Sequence, residues 1–402
     1  MKRAFASLKY RNYRLWFSGQ LVSLVGTWMQ NTAQAYLAFD LTKSAAFLGW
    51  VAFASGAPTW IFMLFAGAMV DRVSKRKVLI YSQVFMMILA FVMAGLTYFE
   101  LLKPWHILVL AALFGVANSF DVPARQSLAS ELVERKDLTN ALALNGAMFN
   151  LGSTMGPALA GIIYVVYGPV WCFVINALSF IAVLIALVKI NLVEVPKPKS
   201  HASLFSQLKE GINYTRSHPI IGGLVSMAAA MSLFGISVVT IFPAWAAHQL
   251  NGDARVAGYL QAGRGIGAVI GAFAVAHFAA TLARGPVIAI GASILPIALF
   301  GFASVKALPM SMIFVALLGA SQIMILNLSN SILHSEVEDR LRGRVASIFS
   351  LIFFGLLPIG GLIMGYLAEI FSESTAIVAS AVAFAVSCII TYSLRSNFRT
   401  LK

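Results

Sequence analysis

Charge is what this sequence has least of. Asp, Glu, Lys and Arg together make up 11% of 402 residues, and only 15 positions are acidic. A soluble domain carries about 25% charged residues and ~45 to 50% apolar ones. Here the AVILMFWYC set alone reaches 59%, and the mean hydropathy is +0.84. Too little polar surface remains to clothe a fold of this size in water, which excludes a water-soluble enzyme. Disorder is excluded as well, because 29 Phe, 11 Tyr and 7 Trp are the opposite of a disordered composition. The expected solvent is a bilayer.

Other scarcities narrow the chemistry. The two cysteines, Cys172 and Cys388, lie in separate apolar stretches with no C-x-x-C spacing, so they read as packing residues. His248, His277 and His334 stand singly in or near helix ends, as solvated or packing histidines, and no metal site is expected. A Walker A sequence is missing. The Gly263-Arg-Gly265-Ile-Gly267 run lies in an apolar helix with no preceding strand, so no nucleotide cofactor is expected. The opening MKRAFASLKYRNYRLWF lacks a short apolar core with a small-residue cleavage site and reads as a basic cytosolic lead-in. Catalytic residues are not expected.

Long apolar runs are plentiful. A membrane helix needs ~20 mainly apolar residues, and twelve stretches qualify, from Tyr13 to Phe39 through Thr375 to Leu394. The fourth is expected over Trp105 to Phe120 and the seventh over Ile220 to Ala247. A polar stretch between the sixth and seventh contains VPKPKS and SLFSQLKEGINYTRS, which reads as a linker ending in an amphipathic helix along the membrane surface. The expected organisation is a bundle over 1–188, a cytosolic linker over 189–219 and a second bundle over 220–402. The fold class is all-α, with twelve transmembrane helices in two six-helix repeats.

The net charge of +14 is distributed as topology rather than as a nucleic-acid face. With the amino end inside, the outer loops hold Lys43, Lys103, Arg255 and Lys306, and Arg264 lies within a span. The other 24 of the 29 basic residues fall on the inner side, which places both termini in the cytosol. The two halves also echo each other. DVPARQSLASELVERKDLTNA follows the fourth span and NLSNSILHSEVEDRLRGRVAS the tenth, each with a Ser-Glu pair before a charged turn (Ser130 and Glu131, Ser335 and Glu336). Each next helix carries a Gly/Pro element, Gly156 and Pro157 in one and Pro358, Gly360 and Gly361 in the other.

Between the second and third spans stands Gly67-Ala-Met-Val-Asp71-Arg72-Val-Ser-Lys75-Arg76-Lys77. It resembles the G-x-x-x-D-R-x-G-R-K motif of the major facilitator superfamily, with Ser74 in place of the second glycine. In the fifth span, Gly152-Ser-Thr-Met-Gly156-Pro157-Ala-Leu-Ala-Gly161 is similar to the G-x-x-x-G-P-x-x-G-G element of superfamily antiporters. SFDVPARQSLASELV and LRGRVAS resemble the branch that includes the enterobactin exporter and macrolide efflux proteins. The resemblance implies a gate in which Asp121 pairs with Arg72 or Arg76. Two departures stand out: Ala111 to Asn118 reads AALFGVAN, without the arginine of proton-coupled drug exporters, and Gly26-Thr27-Trp28 replaces an acid of the first helix.

A transport path should show as polar residues on apolar helices. In the first span Gln20, Ser23, Thr27, Asn31 and Gln34 recur at steps of three or four and share one face. The tenth span offers Ser321, Gln322, Asn327 and Asn330, and the fourth Asn118. Arg264 lies eight residues after Val256. At ~1.5 Å per residue that is about 12 Å into a ~30 Å core, where an isolated arginine facing lipid costs ~2.5 to 3.5 kcal/mol. It is expected to bind the substrate, with Gln261 on its face. No carboxylate sits mid-span, so Asp121 and Asp40 are the candidate proton carriers.

The expected protein is a monomeric secondary transporter in a bacterial cytoplasmic membrane, exporting a drug or siderophore by alternating access. Its partners are that small molecule, membrane lipids and a candidate coupling proton, and not nucleic acid. A lipid flippase or a non-transporting sensor on the same fold is the alternative.

Overall fold

The computed structural model describes residues 5–190, 204–278 and 284–394, apart from the side chains of residues 63, 64, 67–72, 204–208, 278, 339 and 394. Among the described residues there is no strand. A bilayer core offers no water to backbone N–H and C=O groups, so an apolar run satisfies them internally as helix. Helices α1 (Arg11–Thr42), α2 (Ala45–Arg72), α3 (Lys75–Tyr98), α4 (Pro104–Glu131), α5 (Leu138–Tyr167) and α6 (Pro169–Lys189) form the first six passes. Helix α7 (Leu204–Ser217) follows the linker. The seventh pass is composite: α8 (Pro219–Ala230), a π-helical segment Met231–Ile236, a 3-10 segment Ser237–Ile241, and α9 (Phe242–His248). Helices α10 (Ala254–Phe278), α11 (Arg284–Ser304), α12 (Leu308–Glu336), α13 (Asp339–Ile370) and α14 (Glu373–Leu394) complete the count.

Among the described residues, eleven helical segments are long and apolar enough to cross a membrane. Helix α1 is not among them, although its 32 residues are more than long enough. Its polar positions, Gln20, Ser23, Thr27, Gln30, Asn31, Thr32 and Gln34, dilute its hydropathy. With α1 the passes number twelve, in two six-helix repeats.

Local chemistry sets the ends. Pro104, Pro169 and Pro219 begin helices where a missing N–H loses nothing. Gly168 alone joins α5 to α6, at φ 90°, a left-handed geometry that a side chain would strain. The helix α4 overruns its expected end at Phe120 by eleven residues, to Glu131. Pro123 does not stop it, because a proline within a membrane helix removes one hydrogen bond that neighbouring groups replace. Asp121, read as an inner-edge residue, is therefore enclosed by helix on both sides.

The helices gather into two compact units, residues 1–42, 57–200 and 253–262 in one, and 43–56, 201–252 and 263–402 in the other. The partition is not a single cut at the linker. In the first unit α1 packs between α5 and α6, with Gly152 and Gly156 against Leu24 and Trp28. In the second, Gly319 of α12 lies against the backbone of Arg264, where a Cβ would collide with the carbonyl oxygen.

Each repeat also has a leading segment docked on its fifth helix. Ser7 N donates to Asn140 Oδ1 at 2.8 Å, and Lys9 Nζ meets Asp137 Oδ2 at 2.6 Å. In the second repeat Glu210 of α7 pairs with Arg344 and, at 3.3 Å, with Arg340, while Gly211 abuts Ile348. The helix α7 thus packs on the start of α13.

Candidate functional site

Arg264 is carried by α10, eleven residues from the first helical residue inclusive, and faces α12. Its Nη1 donates to Gln322 Oε1 at 3.4 Å, a long contact. Its Nε is buried without a hydrogen-bond partner, and among the described residues no carboxylate forms an ion pair with it. Gln322 is 4% exposed and uses its other end as well, Nε2 donating to the Gly235 carbonyl at 3.2 Å. That carbonyl belongs to the π-helical segment, where the bonding register slips from the α pattern. Ser232 Oγ donates to Phe353 O at 2.7 Å and Ser237 Oγ to Leu233 O at 2.6 Å. A cation, a bridging amide and an irregular helix thus meet at one place in the second unit. Arg264 and Gln322 are both candidates from the sequence, and the fold brings them together; the apolar string MSLFGI carries no sign of the π register. Gln261 lies one turn earlier on α10 with its Oε1 buried and unpartnered. Ser321 bonds back to its own helix at Leu318 O, and Asn327 is exposed.

The first unit holds a buried polar chain across three helices. Ser23 Oγ donates to Gln83 Oε1 at 3.5 Å, and Gln83 Nε2 donates to Asp121 Oδ1 at 2.7 Å. Arg125, one turn along α4, has its Nε 3.8 Å from Asp121 Oδ2. Asp121 is 2% exposed. Arg76 is not its partner, because the Arg76 guanidinium donates to Val188 O at 2.8 Å. Lys75 pairs with Glu131 at the end of α4. Gly67, Asp71 and Arg72 fall in α2 with side chains outside the described residues.

The α1 stripe divides by exposure. Gln20 and Ser23 are buried, Thr27 and Gln34 partly exposed, and Asn31 exposed, as is Asn118 of α4. Beside the stripe, Asn176 Nδ2 donates to Gln30 Oε1 at 2.7 Å and Ser179 Oγ to Asn176 O at 2.7 Å. This fully buried cluster binds α1 to α6, and an isolated Asn in an apolar run was the signal for it. Gly152, Gly156 and Pro157 are buried, and the Gly258 backbone of α10 fits against the Pro157 carbonyl. Asp40 is exposed near the end of α1. Asp253, between α9 and α10, accepts from Arg255 N at 2.9 Å and Nη2 at 2.7 Å, and the Arg255 hydrogen bond holds its carboxyl below the usual range. His248 is no bystander: its Nδ1 lies 2.6 Å from Glu373 Oε1 at the start of α14.

Twelve helical passes in two related sixes, with buried polar groups strung through apolar helices, define a membrane transporter of the major facilitator type. The chain belongs to the transmembrane secretion effector family of that superfamily, matching it over residues 2–399. It is 24% identical to the staphyloferrin A transporter of Staphylococcus aureus, across 89% of this chain and 90% of that one. It is 21% identical to macrolide efflux protein A of Streptococcus pyogenes, across 90% and 91%. Its fold matches the crystal structure of a bacterial homologue of the human lysosomal transporter Spinster, with a TM-score of 0.77 at 13% identity over 97% and 98% of the two chains.

Proposed function

We propose that this transporter exports a small amphiphilic organic anion, of siderophore or drug type, from the cytosol by alternating access. The observation that carries the reading is Arg264: a guanidinium inside a membrane helix that donates to one neutral amide at 3.4 Å. A substrate carboxylate or phenolate would supply the charge-assisted bonds that a fixed guanidinium favours. Gln322 and Gln261 complete the polar surroundings, and the Thr27, Asn31, Gln34 and Asn118 side chains serve the path in their own half. The relatives, one a staphyloferrin A transporter and one a macrolide efflux protein, support transport of a small organic molecule, and the second supports its outward direction. The chain resides in a bacterial cytoplasmic membrane as a monomer, with both termini inside.

The inner gate is formed around Asp121 and the Gly67 to Lys77 segment, with Gly152, Gly156 and Pro157 giving the fifth pass its close contacts. If a proton is exchanged, Asp121 carries it ahead of Asp40, since it alone is buried and bonded to an amide from another helix. The test is flux into proteoliposomes of purified protein, with and without an imposed pH gradient, using macrolides, catecholates and hydroxycarboxylates. Saturable transport of the anionic compounds, lost in Arg264→Ala, supports the reading. No saturable flux of any of them sinks it.

A further inference from the structure

Gln322 bonds to two features at once, the Arg264 guanidinium and the π-helical turn of the seventh pass. We infer that Gln322 couples occupancy at Arg264 to the helical register around Gly235. The inference rests on the reading of Arg264 as the site of a substrate anion.

The argument begins with competition for Arg264. Gln322 Oε1 faces Nη1 at 3.4 Å, near the outer limit of a hydrogen bond, while Nε has no partner. An anion arriving there offers charge-assisted bonds about twice as strong as those of a neutral amide. It displaces the amide oxygen. A primary amide is planar, so turning its oxygen away from Arg264 also moves Nε2, which donates to the Gly235 carbonyl at 3.2 Å. That carbonyl is buried in the second unit and loses its donor.

The π segment is suited to respond. Met231–Ile236 is followed at once by the 3-10 segment Ser237–Ile241, a wide turn and a tight turn in series. Returning both to α register reassigns the carbonyl bonds within the helix, so the freed Gly235 carbonyl need not stay unsatisfied. The ends of the segment are pinned. Ser232 Oγ holds Phe353 O of α13 at 2.7 Å, and Trp245 of α9 is fully buried with its ring 4.6 Å from that of Phe302. Gly235 keeps the turn free of a side chain: a Cβ there would crowd Leu295 Cδ1 at 3.2 Å and Met231 Cγ at 3.3 Å. The pass therefore has a two-state element, and an anion favours the state in which Gln322 is released.

The test uses the full-length protein in nanodiscs, with salicylate and citrate as anionic probes, and reads both affinity and backbone hydrogen exchange over residues 231–241. Wild type should bind a probe and change exchange there by about fivefold or more, whereas Arg264→Ala should lose binding and response together. Gln322→Leu removes the competing oxygen, so it should bind the probe as tightly as wild type or up to about tenfold more tightly, a gain of ~1.4 kcal/mol. It should show no ligand-dependent exchange and should transport at least about tenfold more slowly. Gln322→Asn keeps an amide too short to span both partners and should behave in the same way, which guards against a packing effect of leucine. Gln322→Glu places a permanent anion on Arg264 and should weaken probe binding. A ligand-dependent exchange change retained in Gln322→Leu and Gln322→Asn would overturn the coupling. So would a loss of affinity in both equal to that of Arg264→Ala, since Gln322 would then be only a binding residue. If wild type binds neither probe in an Arg264-dependent way, the anion site itself falls.

Discussion

Asp121 and Arg264 are the two residues whose surroundings most constrain function, and they are partnered differently. Asp121 accepts from Gln83 at 2.7 Å and has Arg125 at 3.8 Å, so its charge is compensated. Arg264 has a neutral amide. For the carboxylate, Asp121→Asn should lower flux at least about tenfold while the protein still inserts and elutes as a single species. A buried hydrogen bond to a charged group contributes about 1.5 to 3 kcal/mol, enough to shift a conformational balance but less than a domain's whole stability. Proteoliposome flux beside size-exclusion profiles checks it, and wild-type flux in the mutant removes Asp121 from the gate. For the guanidinium, Arg264→Lys keeps the charge but loses the planar fork, and Arg264→Ala loses both. Affinity for an anionic substrate should fall in the order wild type, Lys, Ala, with the Ala variant weaker by about tenfold or more, equivalent to ~1.4 kcal/mol. An Ala variant that binds like wild type would place the anion elsewhere.

At the scale of helices, the close seam between α1 and α5 makes the sharpest prediction. A Cβ on Gly156 would stand 2.5 Å from Trp28 Cβ and 2.8 Å from the Val25 carbonyl oxygen, atoms that cannot rotate away. Gly156→Ala should therefore lower stability by about 1 to 3 kcal/mol, the usual cost of overpacking. Gly146→Ala, in the same helix, meets nothing within 4 Å and should be neutral or mildly stabilising. Thermal unfolding of the two variants in detergent separates the effects, and equal midpoints would mean that the seam yields. The seam was legible in the sequence because small residues at steps of four, followed by proline, have few other uses in an apolar helix. So were the passes, since length and hydropathy leave a bilayer segment little choice. The end of α4 was not legible, because Asp121, Pro123 and Arg125 look like a loop until the Gln83 amide and the Glu131 to Lys75 pair show what they bond to. Nor was the π turn, whose Gly235 carbonyl accepts from a side chain 87 residues away in sequence. Gln83 itself could have been found, since it stands beside Ser82 in an otherwise apolar run.

Across the whole molecule the distribution of charge is a statement about sidedness, and it leads to the broadest prediction. Of the 29 lysines and arginines, four fall in the loops assigned outside and 24 in those assigned inside. Basic residues near helix ends resist translocation, so this asymmetry predicts an orientation with both termini inside. The stretch Lys197 to Lys199 lies outside the described residues; Lys136 is assigned to the same side by the charge pattern, and its side chain is 67% exposed. Lys306, between α11 and α12, is exposed and assigned outside. The protein is close to a ready-made background for thiol labelling, because its two cysteines, Cys172 and Cys388, are free and buried. Three single replacements, Lys136→Cys, Lys199→Cys and Lys306→Cys, then test the orientation with an impermeant maleimide. In intact spheroplasts only Lys306→Cys should be labelled. After the inner face is opened by lysis, Lys136→Cys and Lys199→Cys should react as well, and the wild-type protein should stay unlabelled throughout. The reverse order would place both termini outside and invert the transport direction along with them. Reaction of Lys136→Cys and Lys306→Cys from the same side would instead overturn the count of passes between them.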